Sequence, residues 1–169
     1  MKRFLLGTGI LILGGLMAAA DSKSTVMPVL ATLLPTVSVS TTSLDFGTWK
    51  IGDSMLRTSA TITVQATAGL NYAIAMDAGR HFDGAFRCLL ALVHRSEYPV
   101  PYFILDPSAS RLWGDAGFGE TYPQGAPVVG SGTGSPQSYS AIGELEASLA
   151  NPVSPIGVYS DHVNVTVYY

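Results

Sequence analysis

From Leu30 onward apolar residues recur mainly at every second position. The i, i+3, i+4, i+7 spacing of an amphipathic helix is sustained nowhere and leaves only a weak trace over residues 89–94. Alternation puts successive side chains on opposite faces of a strand. The end of the chain shows this most clearly: Val163, Val165, Val167 and Tyr169 are expected to point inward, and His162, Asn164, Thr166 and Tyr168 outward. A second strand is expected over 61–68, with Ile62, Val64, Ala66 and Ala68 on one face. Gly69 interrupts it before Tyr72, Ile74 and Met76 resume the alternation, which predicts a hairpin or adjacent strands. Further strands are expected at Val37–Thr41, over 102–105 and over 139–145. The stretch 125–138 holds Pro127, Gly130, Gly132, Gly134 and Pro136 and reads as a loop or a bulged edge. Short strands at this spacing, separated by turn residues, predict an all-β antiparallel sandwich.

The segment before the first strand is of a different kind. Met27, Val29, Ala31 and Leu33 alternate on one face, Leu30 and Leu34 lie on the other, and Pro28 and Pro35 interrupt the run. It is too apolar for a free tail. Proline donates no ladder hydrogen bond, so a central strand is also excluded. Two readings stand: an edge strand packed on its own domain, or a strand that docks elsewhere.

The chain has 169 residues, of which 47% are hydrophobic and 12% charged, enough for one compact domain and too apolar for a disordered tail protein. Its 9 basic residues and formal charge of −3 lack the electrostatic footprint of a nucleic-acid binder. Lys2 and Arg3, the uncharged run 4–17 and Ala18-Ala19-Ala20 have the three-part pattern of a secretory signal, with cleavage expected after Ala20. The organisation expected is therefore a signal over 1–20, an extension over 21–36 and a β-sandwich domain over 37–169. Removing Lys2 and Arg3 leaves 7 basic against 12 acidic residues, a charge near −5. Cys88 is the only cysteine, so an exported chain gains no disulfide within the molecule and rests on burial. Its neighbours Phe86, Leu89 and Leu90 mark it as a small buried hydrophobe.

Catalytic, cofactor and metal chemistry find little support in the sequence. His81, His94 and His162 share no ligand spacing with one another or with Cys88. His81 and Asp83 read as turn residues beside Gly79 and Gly84. The run 130–134 lacks both the dinucleotide fingerprint and the lysine of a phosphate loop, and no Gly-x-Ser-x-Gly elbow occurs. Trp49, Trp113, Phe118, Tyr122, Tyr139, Tyr159, Tyr168 and Tyr169 are expected mostly in the core or at its corners.

Several strings, taken in order, resemble the spore coat protein U family, which includes subunits of archaic chaperone-usher pili. They are Leu44-Asp45-Phe46-Gly47-Thr48-Trp49, the stretch from Ile62 to Gly69, and Asn71-Tyr72-Ala73-Ile74-Ala75-Met76-Asp77-Ala78-Gly79. The likeness continues through Tyr102-Phe103-Ile104-Leu105-Asp106, Trp113-Gly114-Asp115, Gly132-Thr133-Gly134-Ser135-Pro136-Gln137 and Ile142-Gly143, and closes on Gly157 to Tyr168. The resemblance implies an immunoglobulin-like sandwich lacking its last strand, completed by donor-strand complementation. A periplasmic chaperone would fill the gap first, and the extension of another pilus subunit would replace it in a head-to-tail polymer passing an outer-membrane usher. Met27, Val29, Ala31 and Leu33 are then the donor residues. Val37, Val39, Val163, Val165, Val167 and Tyr169 form the acceptor groove and terminal strand. The role implied is a structural subunit of a surface pilus, for adhesion and biofilm formation. A surface or spore coat protein of the same fold is the competing structural reading, and a secreted hydrolase the competing enzymatic one. Family members commonly carry two cysteines, at places that fall here on Thr41 or Thr42 and on Ala66. Loss of such a cross-link typically removes about 2–5 kcal/mol from a small secreted domain.

Overall fold

The computed structural model describes residues 21–91 and 98–169; the expected signal over 1–20 and His94 lie outside them. Among the described residues nine strands follow in order: β1 Val37–Thr41, β2 Leu56–Ala66, β3 Asn71–Met76, β4 Arg87–Ala91, β5 Val100–Leu105, β6 Val128–Ser131, β7 Gln137–Leu145, β8 Tyr159–Ser160 and β9 Val165–Tyr168. A 3-10 turn at Ala147–Leu149 interrupts them. Residues 21–36 carry no regular element.

The strands form two antiparallel sheets, one of order β1-β2-β7-β5-β4-β8 and one of order β6-β3-β9. Their inward faces meet in one core. Ile62 and Val64 from β2, Ile104 from β5 and Leu145 from β7 join Ile74 and Met76 from β3. Trp113, fully buried, donates its indole N–H to the Ile74 carbonyl at 2.8 Å, so its area is buried without orphaning its polar tip.

Several expectations need correction. β2 starts at Leu56, because Leu56, Arg57, Thr58 and Ser59 find partners on β7 that local alternation does not reveal. β2 and β3 are neither a hairpin nor neighbours; they belong to different sheets. The turn between them is carried across by Gly69, whose φ of +79° favours glycine and whose N–H reaches the Gly132 carbonyl at 2.8 Å. Residues 87–91 are strand, where the periodicity left a trace of helix, since β4 pairs with β5 and β8. Within the stretch 125–138, β6 pairs with β3 as an end strand of its sheet, in keeping with the edge reading of that stretch.

The terminal strand is shorter than its pattern. Val163 precedes β9 and Tyr169 follows it. Tyr169 stays 67% exposed instead of pointing inward. Tyr168 turns outward as expected, tilts over Phe118 at 4.8 Å between ring centroids and donates to the Phe118 carbonyl.

Candidate functional site

β1 and β9 are the end strands of their sheets and approach each other, with Cα pairs within 8 Å. Each is hydrogen-bonded on one side only among the described residues. The register sets what each presents. Val37, Val39 and Thr41 lie opposite Ala66, Val64 and Ile62, so the two rows share the inward face of the sheet. Val165 and Val167 likewise lie opposite Met76 and Ile74. The inner row is sealed, with Ile62, Val64, Ala66, Ile74 and Met76 at most 2% exposed. The outer row is not: Val39 is 42% exposed, and Val37, Val165 and Val167 are half-buried. Core-facing side chains at the two facing edges thus lack full cover.

Where β1 ends and β9 begins, the gap widens into a cleft of about 1060 Å³. Its floor includes Ala60, Ile62, Met76, Ile104 and Ala141, and its walls come from residues 41–51 and 154–165. The first wall is held by the Leu-Asp-Phe-Gly stretch. Leu44 packs onto Gly143, where any Cβ would strike the leucine side chain. Phe46 meets Tyr102 edge to face at 6.2 Å, and Trp49 meets Tyr159 at 5.6 Å. Tyr159 fastens the second wall by donating its hydroxyl to the Pro155 carbonyl at 2.8 Å.

Polar groups latch the approach to β9. Tyr102 donates its hydroxyl to Asp161 Oδ2 at 2.6 Å, and the His81 amide donates to Asp161 Oδ1 at 3.1 Å. Burial pushes the Tyr102 phenol well above its ordinary value, and the bond to Asp161 adds to the rise. His81 Nδ1 lies 3.2 Å from the same carboxylate. Gly79 is required here, because a Cβ at that position, besides its φ of +79°, would collide with the Asp161 carboxylate. Asn164 donates both its amide and its side-chain nitrogen to Asp77. These bonds hold residues 161–164 in place while leaving the groove side of β9 bare.

Val37, Val163, Val165 and Val167 are partly buried and packed against the core, while Val39 and Tyr169 are exposed, at 42% and 67%. Met27, Val29 and Leu33 are 78–87% exposed in the irregular N-terminal stretch, and Ala31 is exposed with them. Leu44, Phe46 and Trp49 stood in the sequence as parts of a resemblance; the structure makes them a wall. Asp161 carried no signal, because its role depends on Tyr102 and the turn at Gly79. No group of three or more His, Cys, Asp or Glu side chains is placed to hold a metal among the described residues.

The places assigned to the family's cysteines do not face each other. Ala66 lies opposite Val37, while Thr41 lies opposite Ile62, so one bridge could not join them without moving the backbone. Threonines fasten β1 at both ends instead. Thr36 and Thr67 exchange N–H bonds at 2.9 and 3.0 Å, and Thr42 and Thr61 do the same at 3.0 and 2.9 Å. Cys88 is buried, and burial together with nearby Asp83 pushes its thiol up to about 12. It stays protonated at neutral pH and is a poor nucleophile. Alkylating reagent should therefore label Cys88 only after the chain is denatured, and non-reducing gels should show no dimer linked through it; labelling of the native protein within minutes would contradict this placement.

Two sheets packed as an immunoglobulin-like sandwich, with an uncovered groove between their end strands, define the class of fold. Within that class the chain belongs to the spore coat protein U domain family, whose model matches residues 23–166 and so includes most of the extension. No curated protein matches it in sequence. A similar solved chain comes from the crystal structure of the CsuC-CsuE chaperone-tip adhesion subunit pre-assembly complex of the archaic chaperone-usher Csu pili of Acinetobacter baumannii. The two are 15% identical with a TM-score of 0.57, and the match covers 82% of this chain and 41% of that one. This chain thus spans about two fifths of the length of its structural neighbour.

Proposed function

We propose that the protein is a structural subunit of an extracellular chaperone-usher pilus and polymerises by donor-strand exchange. The observation that carries this reading is the half-covered inward row of Val39, Val165 and Val167 beside fully sealed partners. An added strand would pair with the free edges of β1 and β9 through main-chain hydrogen bonds and set its register by alternate side chains entering the groove. Met27, Val29, Ala31 and Leu33 supply that alternation, and each such side chain contributes roughly 1.5–3 kcal/mol when fully buried. Ordering the strand costs about 1–2 kcal/mol of backbone entropy per residue, so the donor must fill the groove along its length.

An open apolar edge is an aggregation hazard, which gives a periplasmic chaperone its part: it covers the groove until an outer-membrane usher presents the next subunit. The neighbour's pre-assembly complex with a chaperone supports this order of events. Export through the periplasm to the cell surface, adhesion and biofilm formation follow from the same reading, with no catalytic step.

Deleting residues 21–35 tests it. Assembly scored as a ladder on an unheated gel should vanish, while the truncated chain still co-purifies with its chaperone. Persistence of the ladder would favour a coat protein that associates without strand exchange.

A further inference from the structure

The described residues hold four sulfur atoms, in Met27, Met55, Met76 and Cys88. The fold treats them differently. Met76 and Cys88 are sealed, at 2% and 1% exposure, and burial and nearby Asp83 keep the Cys88 thiol protonated. Met55 is 46% exposed and Met27 78%. A thioether needs no ionisation to be oxidised, only access of the oxidant to sulfur, so Met27 is the first of the four that an oxidant reaches.

Position gives the Met27 sulfur a consequence that Met55 lacks. In the row Met27, Val29, Ala31 and Leu33 it is the only oxidisable side chain, and the opposite row of Pro28, Leu30, Thr32 and Leu34 has none. On the strand-exchange reading the first row enters the groove between β1 and β9. The inner side chains there, Ile62, Val64, Ala66, Ile74 and Met76, are at most 2% exposed, and none of them carries a hydrogen-bond donor. Val39, Val165 and Val167 on the outer row carry none either. The edge N–H groups of both strands would be taken by the main chain of the added strand. A thioether suits this lining, because it is apolar and its flexible side chain adapts to irregular space. A sulfoxide does not: its oxygen gives up water on burial and finds no donor.

We infer that Met27 is a site of oxidative modification by peroxides, and that its sulfoxide blocks assembly. With hydrogen peroxide the sulfur gives up two electrons and the O–O bond breaks; one oxygen stays on sulfur, and the other leaves with both hydrogens as water. The inference rests on the strand-exchange reading and adds a point of control to it. The sulfur is open while the subunit awaits a partner and covered once its strand is docked, so an oxidant stops new links and spares existing ones. The block is reversible, since reductases specific for the two sulfoxide epimers restore the thioether.

Trypsin separates the three methionines for the test: cleavage after Lys23, Lys50, Arg57 and Arg80 places Met27, Met55 and Met76 in peptides 24–50, 51–57 and 58–80. The unassembled full chain, carried on its chaperone, is treated with hydrogen peroxide until mass spectrometry shows one added oxygen throughout peptide 24–50. Peroxide is then removed, and assembly is scored as a ladder on an unheated gel against the untreated sample. The ladder should fall about tenfold or more, the loss in affinity expected of one buried, unpaired acceptor, and should return after treatment with the two reductases. Met55→Leu should show the same fall. Met27→Leu, scored against its own untreated sample, should show none. Polymer treated after assembly should keep both its ladder and an unmodified peptide 24–50. An undiminished ladder from chain whose Met27 is fully converted, or an equal fall in Met27→Leu, overturns the inference and leaves strand exchange standing. Conversion of Met27 as fast in the polymer as in the unassembled chain overturns it as well, by placing the sulfur outside the groove. Failure of the untreated chain to polymerise at all would remove both readings.

Discussion

Leu33→Asp should abolish polymerisation while leaving capture by the chaperone intact. On the strand-exchange reading Leu33 enters the groove, whose floor includes Ile62, Met76 and Ile104. None of these can hydrogen-bond a carboxylate, and burying an unpaired charge in such surroundings costs several kcal/mol or forces the group to stay out. On the same reading a chaperone fills the groove with a strand of its own, so the variant subunit should still co-purify with it in normal yield. The acceptor side gives a complementary result. Val165→Asp places the charge in the groove itself, so it should lose both the polymer ladder and the chaperone complex. Unchanged ladders from Leu33→Asp would contradict the donor register, and retained capture by Val165→Asp would contradict the position of the groove.

Arg87→Ala should destabilise the domain by about 3 kcal/mol or more, a large share of the total stability of a domain this size. Arg87 is fully buried at the start of β4, in the six-stranded sheet. Its guanidinium donates to the Asp77 carbonyl at 2.9 Å through Nε, to the Trp113 carbonyl at 3.0 Å and to the Met76 carbonyl at 3.1 Å. Met76 belongs to the three-stranded sheet, so this one side chain ties the two layers together. Its Cζ also lies 4.0 Å from the centroid of the Tyr122 ring. Removing it orphans buried carbonyls at about 1–3 kcal/mol each, offset in part by no longer burying a charge. Arg87→Lys keeps the charge but has no planar fork to reach three carbonyls, and it should recover less than half of the loss. Denaturant midpoints of the chaperone-free, strand-complemented domain measure both variants; an unchanged midpoint for Arg87→Ala would show that the sheets are held elsewhere.

The alternation of small apolar and polar residues made the long strands visible in the sequence. Val37–Thr41 matches β1 residue for residue, and Val165 and Val167 face inward because period two survives up to the end of β9. What failed was whatever depends on a partner distant in sequence. β4 has no alternation of its own, since Arg87 and Cys88 are adjacent and both buried. The hairpin expected from β2 and β3 is a crossing between sheets, and no local pattern distinguishes the two. Tyr169 continues the alternation in sequence but lies past the end of β9 and stays exposed. The groove was legible only as an apolar extension with a place implied by resemblance. Its walls, from Leu44 to Trp49 and from Pro155 to Val163, lie more than a hundred residues apart in sequence at their far edges and meet only in the fold.

Incompleteness of the domain is the central claim, and one melting experiment reaches it directly. The chain lacking residues 21–36 is heated with and without an excess of a synthetic peptide of residues 21–36. Without peptide the transition should be broad and low, and with peptide sharp and raised by many degrees, since a ligand that binds only the folded form adds its binding free energy to stability. A sharp, cooperative transition at the same temperature in both samples would show a domain that needs no further strand, and would contradict the account.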